Sequence, residues 1–218
     1  MNQTNSGVQL AKQLARRSTA VRLAERLGDH FTYDTVAAFV DEVHDELEER
    51  FRIKTHVPTF AHRFARERLE ALARHEGRIT DHRPTVLFVC ERNDDVSQIA
   101  AALLRERAGD RAHVHSAGTQ PADELHVAAV HALHELEIEM ISEFPKPLTP
   151  EIEADADVIV TLDRNDRVDL VMNDTTQYFA WDVPADHGDD LEAYVALCHT
   201  IERLVIELEA AVLAPVAG

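Results

Sequence analysis

A cysteine stands at the end of a short apolar run, and the polar residues that follow it are suited to thiol chemistry. Cys90 closes the run 86–90, and Asn93 and Ser97 come shortly after it. The run is typical of a strand buried on both faces, and a helical pattern begins at Ser97. Backbone N–H groups at such a junction favour anions and lower the pKa of a thiol. Ser97 can donate its hydroxyl to a thiolate, and Asn93 tolerates the left-handed backbone of a curled loop.

The composition excludes several classes of protein. The chain has 218 residues, of which 45% are hydrophobic, and a formal net charge of -18. This composition is globular, and because so acidic a surface repels phosphate backbones we expect no nucleic-acid partner. No apolar run approaches the roughly 18 residues of a membrane span, and the first residues lack the apolar stretch of a signal peptide. We therefore expect a cytoplasmic protein, not bound to a membrane, whose Cys90 and Cys198 are reduced thiols.

The charge is divided unevenly along the chain. Residues 1–80 carry a net charge of +1, whereas residues 81–218 carry -19. Segment 77–84 between them is polar, begins with glycine and ends with proline, which is typical of a linker. The sequence therefore predicts one domain over 1–80 and a second over 81–218.

The first domain has the apolar periodicity of three helices. We predict one amphipathic helix, or two short ones, ended by Gly28, and a next helix capped by Asp34. The last helix has Pro58 in its first turn and Gly77 as its stop. The middle helix carries one apolar stripe, made of Val36, Phe39, Val40, Val43 and Leu47. No catalytic constellation is found among these segments.

Strand and helix patterns alternate in the second domain. They predict strands at 86–90, 113–117, 158–162 and 177–181, and helices at 97–108, 124–136 and 190–213. Such alternation favours a parallel sheet between two helix layers, a three-layer α/β fold. Ligands of these folds bind at the carboxyl ends of the strands, which is where Cys90 lies.

Several segments, in order along the chain, carry a resemblance to one family. They are the loop after Cys90 and the segments 115–119, 143–149, 156–161 and 181–184. Over 85–212 the chain resembles the low-molecular-weight protein tyrosine phosphatase fold, specifically its arsenate reductase branch. The helical part is similar to one found on some actinobacterial-type arsenate reductases. The resemblance implies a three-layer parallel-sheet domain preceded by an all-α three-helix domain. It also implies that Cys90 is a nucleophile, supported by Ser97, in a loop that binds tetrahedral oxyanions.

The predicted oxyanion loop departs from the family's pattern, and it consists of Glu91, Arg92, Asn93, Asp94, Asp95 and Val96. Val96 stands where the family has the arginine that grips the oxyanion, and Asp95 stands where it usually has glycine. An isopropyl group cannot replace a bidentate guanidinium, and carboxylates at the rim oppose a dianion. Arg92 could turn inward to replace that arginine or pair with the neighbouring acids. We favour pairing, since adjacent arginines and carboxylates usually form solvated ion pairs.

Two further parts of the family's machinery are changed. The general acid expected by resemblance falls at Ala185, so Asp186, one place later, is either a displaced general acid or a plain loop acid. Thioredoxin-coupled members carry two more cysteines after the strand at 158–162, and residues 163–169 include none. Cys198 lies on an apolar helical stripe, which argues against its use as a relay thiol. An external thiol or redoxin attacking an adduct on Cys90 stays chemically possible.

We expect no cofactor and no resident metal ion. Two weaker hypotheses would place a metal on one helix or at the rim of the loop. The first uses His126, His131 and His134, and the second uses Asp94, Asp95, Asp163 and Asp186. In both cases a charged, solvated surface is the simpler interpretation.

The sequence leaves three functions open. The first is a member of the arsenate reductase branch with a degenerate oxyanion loop and impaired catalysis. The second is an active single-cysteine arsenate reductase that works through Cys90 and an external thiol. The third is a binding or regulatory pseudoenzyme. The small-molecule partner would be an oxyanion such as arsenate or phosphate, bound weakly, and the helical domain is compatible with a homodimer.

Overall fold

The computed structural model describes residues 2–51, 54–140, 143–162, 170–171, 174–183 and 190–213. The chain folds as two compact units, Met1–Thr80 and Asp81–Gly218. Among the described residues, no helix combines the length and the apolar character that crossing a bilayer requires.

The first unit consists of three helices. They are α1 (Asn2–Leu27), α2 (Tyr33–Arg50) and α3 (Val57–His75), with a short 3-10 turn at Lys54–His56. Helix α2 packs against both α1 and α3 because its apolar stripe faces them. The core of the unit includes Leu23, Val36, Val40, Val43, Leu47, Phe64 and Leu69, all of which are buried.

The helix boundaries confirm part of the prediction and correct one cap. The first segment is a single continuous helix, and Pro58 lies in the first turn of α3 as predicted. The prediction that Asp34 caps α2 was wrong. Thr32 takes that position, and its hydroxyl accepts a hydrogen bond from the Thr35 backbone N–H at 3.2 Å. Since the chain enters the helix at Tyr33, Asp34 lies inside the first turn.

The second unit is built on a four-stranded parallel sheet. The strands are β1 (Thr85–Cys90), β2 (His113–Gly118), β3 (Val158–Thr161) and β4 (Gln177–Ala180), in the order β2-β1-β3-β4. All six residues of β1 are buried, because this strand lies between β2 and β3 and both of its faces are covered. Burial on both faces explains why the sequence of this strand is continuously apolar.

Helices flank the sheet and complete the parallel-sheet fold that the sequence predicts. They are α4 (Val96–Ala108), α5 (Val127–Glu135), α6 (Pro150–Ala154) and α7 (Leu191–Val212). Helix α4 packs against β1, β2 and α7, and α5 also packs on α7. Helix α6 was not predicted, since five residues are too few to establish a helical period. Helix α5 begins at Val127, later than the predicted 124.

Candidate active site

The loop after Cys90 joins the carboxyl end of the central strand β1 to the first turn of α4. Its backbone carbonyls are fixed by N–H groups of the segment that follows β2. Thr119 donates to the Cys90 carbonyl at 3.2 Å, and Gln120 donates to the Glu91 carbonyl at 2.8 Å. Further along, Ala122 and His126 donate to the carbonyls of Arg92 and Asp94, each at 2.9 Å. The loop is therefore held along most of its length by a neighbouring segment.

Gly118 lets these two segments approach each other. A Cβ atom at this position would lie 2.8 Å from the carbonyl oxygen of Glu91 and 2.9 Å from Cβ of Asn93. Real Cβ atoms essentially never come this close to backbone, so any side chain here would push the loop away. The last residue of β2 is thus part of the site although it carries no functional group.

Asn93 is the central structural residue of the loop. It has a φ of 51°, the left-handed conformation that its residue type predicts, and it is fully buried. Its Nδ2 donates to Ser97 Oγ at 2.8 Å. Its Oδ1 accepts from Gln98 Nε2 at 3.0 Å and from the Lys146 backbone N–H at 2.8 Å. The side chain therefore joins the loop, the first turn of α4 and the segment before α6.

The Cys90 thiol lies at the end of a chain of hydrogen bonds. Its Sγ is 3.0 Å from Ser97 Oγ and accepts the Asn93 backbone N–H at 3.1 Å. Because Ser97 Oγ already accepts a hydrogen bond from Asn93, its own proton is available to the sulfur. The structure thus brings Cys90, Asn93 and Ser97 together in the arrangement that the sequence predicts.

Burial outweighs these hydrogen bonds in setting the thiol's charge. Desolvation raises the pKa of Cys90 to about 11, while the hydrogen bonds from Ser97 and Asn93 act in the opposite direction and the charge of Asp95 raises the pKa further. The side chain is only 3% exposed. The thiol is therefore protonated at neutral pH, contrary to the lowered pKa expected from the strand–loop–helix junction.

Arg92 carries the one basic side chain of the loop, and it is paired with an acid of the same loop. Its guanidinium lies 2.8 Å from Asp94, and the side chain is 64% exposed whereas that of Asp94 is 7% exposed. The hydrogen bond and the charge of Asp94 raise the pKa of Arg92. The predicted pairing with a neighbouring acid is confirmed, and Glu91 lies exposed beside it.

Val96 and Asp95 form the start of α4. Val96 is the first helical residue, and its side chain is partly buried against the apolar core. Asp95 is the N-cap: its Oδ1 accepts the Val96 backbone N–H at 2.5 Å, and its Oδ2 accepts the Tyr194 hydroxyl at 3.3 Å. Position 96 therefore supplies no guanidinium, and the carboxylate of Asp95 lies at the N-terminal end of α4.

Other predicted positions lie apart from this cluster or outside the described residues. Asp186, the candidate general acid, and Asp163 of the cation hypothesis are outside the described residues. Cys198 is fully buried on α7. His126 precedes α5, and its ring stacks on Tyr194 with 4.7 Å between centroids. Within the described ranges, no three His, Cys, Asp or Glu side chains are placed to hold a metal ion together.

Three residues of the site were not predicted. Gly118 and Lys146 lie in segments that carry the family resemblance, but the resemblance predicts no contacts for them. Lys146 is 1% exposed, and its ammonium group is 3.4 Å from Glu143. Tyr194 is part of the apolar stripe of α7 in the sequence, and nothing in that pattern indicates a hydrogen bond to the loop.

Comparisons with known proteins match both parts of the chain. Residues 14–73 match the family model described as the N-terminal domain of protein-tyrosine-phosphatase-like proteins. Residues 85–215 match the model of low molecular weight phosphotyrosine protein phosphatases. The chain is 31% identical to a thioredoxin-dependent arsenate reductase of Corynebacterium glutamicum, with a TM-score of 0.79 over 90% of this chain and 96% of that one.

Two other solved structures share the fold of the second unit. An arsenate reductase in the phosphate-binding state is 23% identical, with a TM-score of 0.52 over 59% of this chain and 98% of that one. A mutant of YwlE from Bacillus subtilis is 24% identical, with a TM-score of 0.50 over 59% of this chain and 97% of that one. Because the match to the family model spans more than half of the sequence, the chain belongs to the low molecular weight phosphotyrosine protein phosphatase family.

Proposed function

We propose that this chain is a catalytically impaired member of its family, with Cys90 in a degenerate oxyanion loop that binds arsenate or phosphate weakly. The observation that carries the proposal is the pairing of Arg92 with Asp94. An arginine elsewhere in the loop could replace the one that position 96 lacks. Arg92 is the arginine present, but its side chain is exposed and bound to Asp94. The loop itself then offers an oxyanion only backbone N–H groups and the hydroxyl of Ser97.

The missing charge has a large energetic consequence. Removing one preorganised charge stabiliser commonly lowers a rate about a hundredfold to a thousandfold. A carboxylate about 5 Å from an anion adds a repulsion of roughly 3 kcal/mol per pair of unit charges at an effective dielectric constant near 20. The loss of rate follows from Val96, which supplies no positive charge. The repulsion comes from Asp95 and, to a smaller extent, from Asp94, whose charge is compensated by Arg92.

The charge state of the nucleophile also lowers the expected activity. A thiol with a pKa of about 11 is ionised in only about one molecule in ten thousand at pH 7. Cys90 therefore attacks slowly even when an oxyanion is bound, because the thiolate is the reactive form. A displaced general acid at Asp186 would protonate the leaving group during this attack, but it would not ionise the thiol.

The test compares the protein with variants in parallel assays of arsenate reduction and aryl phosphate hydrolysis. We expect the wild type to be no faster than Cys90→Ser. The double variant Asp95→Gly/Val96→Arg should bind phosphate at least about tenfold more tightly, since it restores a bidentate donor and removes an acid. Turnover by the wild type at the rate of the Corynebacterium glutamicum relative, measured alongside, would refute the proposal.

A second candidate function is supported by the intact network around the thiol. Ser97 and the Asn93 backbone N–H both contact Cys90 Sγ, as a working nucleophile requires. In this function Cys90 attacks arsenate with loss of water, and an external thiol then attacks the sulfur of the adduct. The products are arsenite and a mixed disulfide on Cys90, which a further thiol reduces. Release of arsenite that depends on added thioredoxin or a small thiol, and that is absent in Cys90→Ser, would favour this candidate over the impaired one.

A further inference from the structure

We propose that the carboxylate of Asp95 is a built-in ligand of the oxyanion loop: it occupies the anion position at the start of α4, and Tyr194 holds it there. The inference rests on the proposed function, because it assumes that the loop descends from an oxyanion site. It adds a second cause of impairment, occupation of the site by the chain itself, to the loss of an arginine.

The first observation is the direction of the Asp95 side chain. N-cap side chains usually accept an N–H from two or three residues further along the helix. Two other side-chain caps of this protein do so, since Thr32 accepts from Thr35 and Asp190 accepts from Ala193. Asp95 instead accepts the N–H of the very next residue, Val96, at 2.5 Å. Its carboxylate thus lies over the end of the helix, where the partial positive charge of α4 favours an anion.

The second observation is a donor from a distant part of the chain. Tyr194 on α7 is 2% exposed, and its hydroxyl donates to the other carboxylate oxygen of Asp95 at 3.3 Å. The Tyr194 ring is stacked on His126, whose backbone N–H in turn donates to the Asp94 carbonyl. Both carboxylate oxygens therefore have a fixed donor, as the oxygens of a bound oxyanion would.

The third observation is that Asp95 acts on the nucleophile. Burial is the main cause that raises the pKa of the Cys90 thiol, and the negative charge of Asp95 raises it further, so this carboxylate opposes ionisation of the sulfur. An incoming arsenate or phosphate must displace this carboxylate from the Val96 N–H, and it must then remain beside a negative charge. Asp94 differs, since the guanidinium of Arg92 compensates its charge.

The experiment separates occupation of the site from simple charge repulsion. Asp95→Asn and Asp95→Gly remove the charge, and Glu91→Gln is the control that removes one exposed acid of the same loop without releasing Arg92 or vacating the start of α4. Tyr194→Phe leaves every charge in place and removes one hydroxyl that donates to the carboxylate. Each variant is made in a Cys198→Ala background, so that Cys90 is the only thiol. The readouts are the pH dependence of Cys90 alkylation and the binding of inorganic phosphate followed by calorimetry.

We expect Asp95→Gly to lower the pKa of Cys90 by about one unit or more and to strengthen phosphate binding about tenfold or more. Tyr194→Phe should strengthen phosphate binding in the same direction, about threefold, because a carboxylate that is no longer held is more easily displaced. Glu91→Gln should change neither quantity by more than about a third of these amounts, because its exposed charge is screened by solvent. If Asp95→Gly does not fold, Asp95→Asn still tests the prediction, since it keeps the shape of the side chain.

Two results would overturn the inference. One is equal behaviour of Glu91→Gln and Asp95→Asn, which indicates repulsion alone. The other is unchanged phosphate binding in Asp95→Gly or in Tyr194→Phe. Either result leaves the proposed impairment intact, because that proposal depends on the turnover of the wild type, which is measured without any of these variants.

Discussion

The inner and the outer parts of the loop differ in how strongly the fold constrains them. In the inner part, Cys90, Asn93 and Ser97 are buried and joined by hydrogen bonds of 2.8 to 3.1 Å. In the outer part, Arg92 is exposed and Val96 is only half-buried. The inner part has the residues that the resemblance leads us to expect, and the outer part does not.

The comparison teaches that the site's structure and its chemistry are held by different residues. Replacing Asn93 would leave buried donors and acceptors unpaired, which costs free energy of folding. Replacing an arginine at position 96 by valine removes a functional cation and places an apolar group against the core, so the fold tolerates the change. Membership of the family therefore does not by itself establish the family's activity.

The largest expected effect is on the inner part. Asn93→Ala removes three hydrogen bonds. It also leaves alanine at a φ of 51°, without the polar side chain that makes this left-handed conformation favourable for asparagine. We expect the free energy of unfolding of the second unit to fall by about 4 kcal/mol. Urea denaturation followed by the fluorescence of Trp181 measures this unit, since Trp181 is the only tryptophan and packs on Phe88.

Arg92→Ala is the control for this prediction, because it lies in the same loop but is largely exposed. It should lower the free energy of unfolding by less than about 1 kcal/mol. Equal losses in the two variants would contradict the distinction between an inner and an outer part.

The second prediction concerns pH. The pKa of Cys90 is raised from 9.0 to about 11 in the folded protein, so the unfolded chain loses this proton first as pH rises. The stability that the neutral thiol contributes is complete below pH 9 and is lost as pH rises through 11. Between these values we expect the wild type to lose about 2 kcal/mol relative to Cys90→Ala.

Urea titrations of both proteins at several pH values check this, since the difference cancels the other groups that titrate in the range. A difference that stays constant from pH 8 upward would show that the Cys90 thiol has an ordinary pKa. Such a result would remove the raised pKa of Cys90 as a cause of impairment, although a thiol with an ordinary pKa is still mostly protonated at pH 7.

Much of the fold and the centre of the site could be predicted from the sequence because they depend on local patterns. The apolar run of β1 reports burial on both faces, and the spacing of Cys90, Asn93 and Ser97 fits a strand, a tight loop and a helix start. These features involve residues close together in the chain, so residue type and spacing are enough to derive them.

The remaining features depend on contacts between distant segments. Lys146 donates its backbone N–H to Asn93 from 53 positions away, and Tyr194 reaches Asp95 across 99. The raised pKa of Cys90 is another case, because burial by the surrounding elements outweighs the local hydrogen bonds that the sequence predicts. Patterns along one segment contain no information on such approaches.

The third prediction tests the bond between Ser97 and the thiol. Ser97→Ala removes the hydroxyl that contacts both Cys90 Sγ and Asn93 Nδ2. We expect a loss of about 1 kcal/mol in the free energy of unfolding and a further rise in the pKa of Cys90, since the thiolate loses a donor. Urea denaturation and pH-dependent alkylation measure the two effects.

Ser97→Thr should preserve both values better than Ser97→Ala, because it keeps the hydroxyl. Ser116→Ala is a matched control on the neighbouring strand β2: in the described part of the chain, the buried Ser116 hydroxyl has no hydrogen-bond partner. Removing it should leave the unfolding free energy unchanged or slightly higher. A larger loss from Ser116→Ala than from Ser97→Ala would mean that the inner network contributes nothing.

The smallest expected effect belongs to the outer part, in a double-mutant cycle of Arg92→Ala and Asp94→Asn. The two groups are 2.8 Å apart, but the exposed guanidinium is screened by solvent, so we expect a coupling energy of about 0.5 kcal/mol. Raising the salt concentration should reduce it further, because the pair is partly open to ions. A coupling above about 2 kcal/mol, insensitive to salt, would place this pair with the inner network and would mean that Arg92 is fixed by the fold as firmly as Asn93.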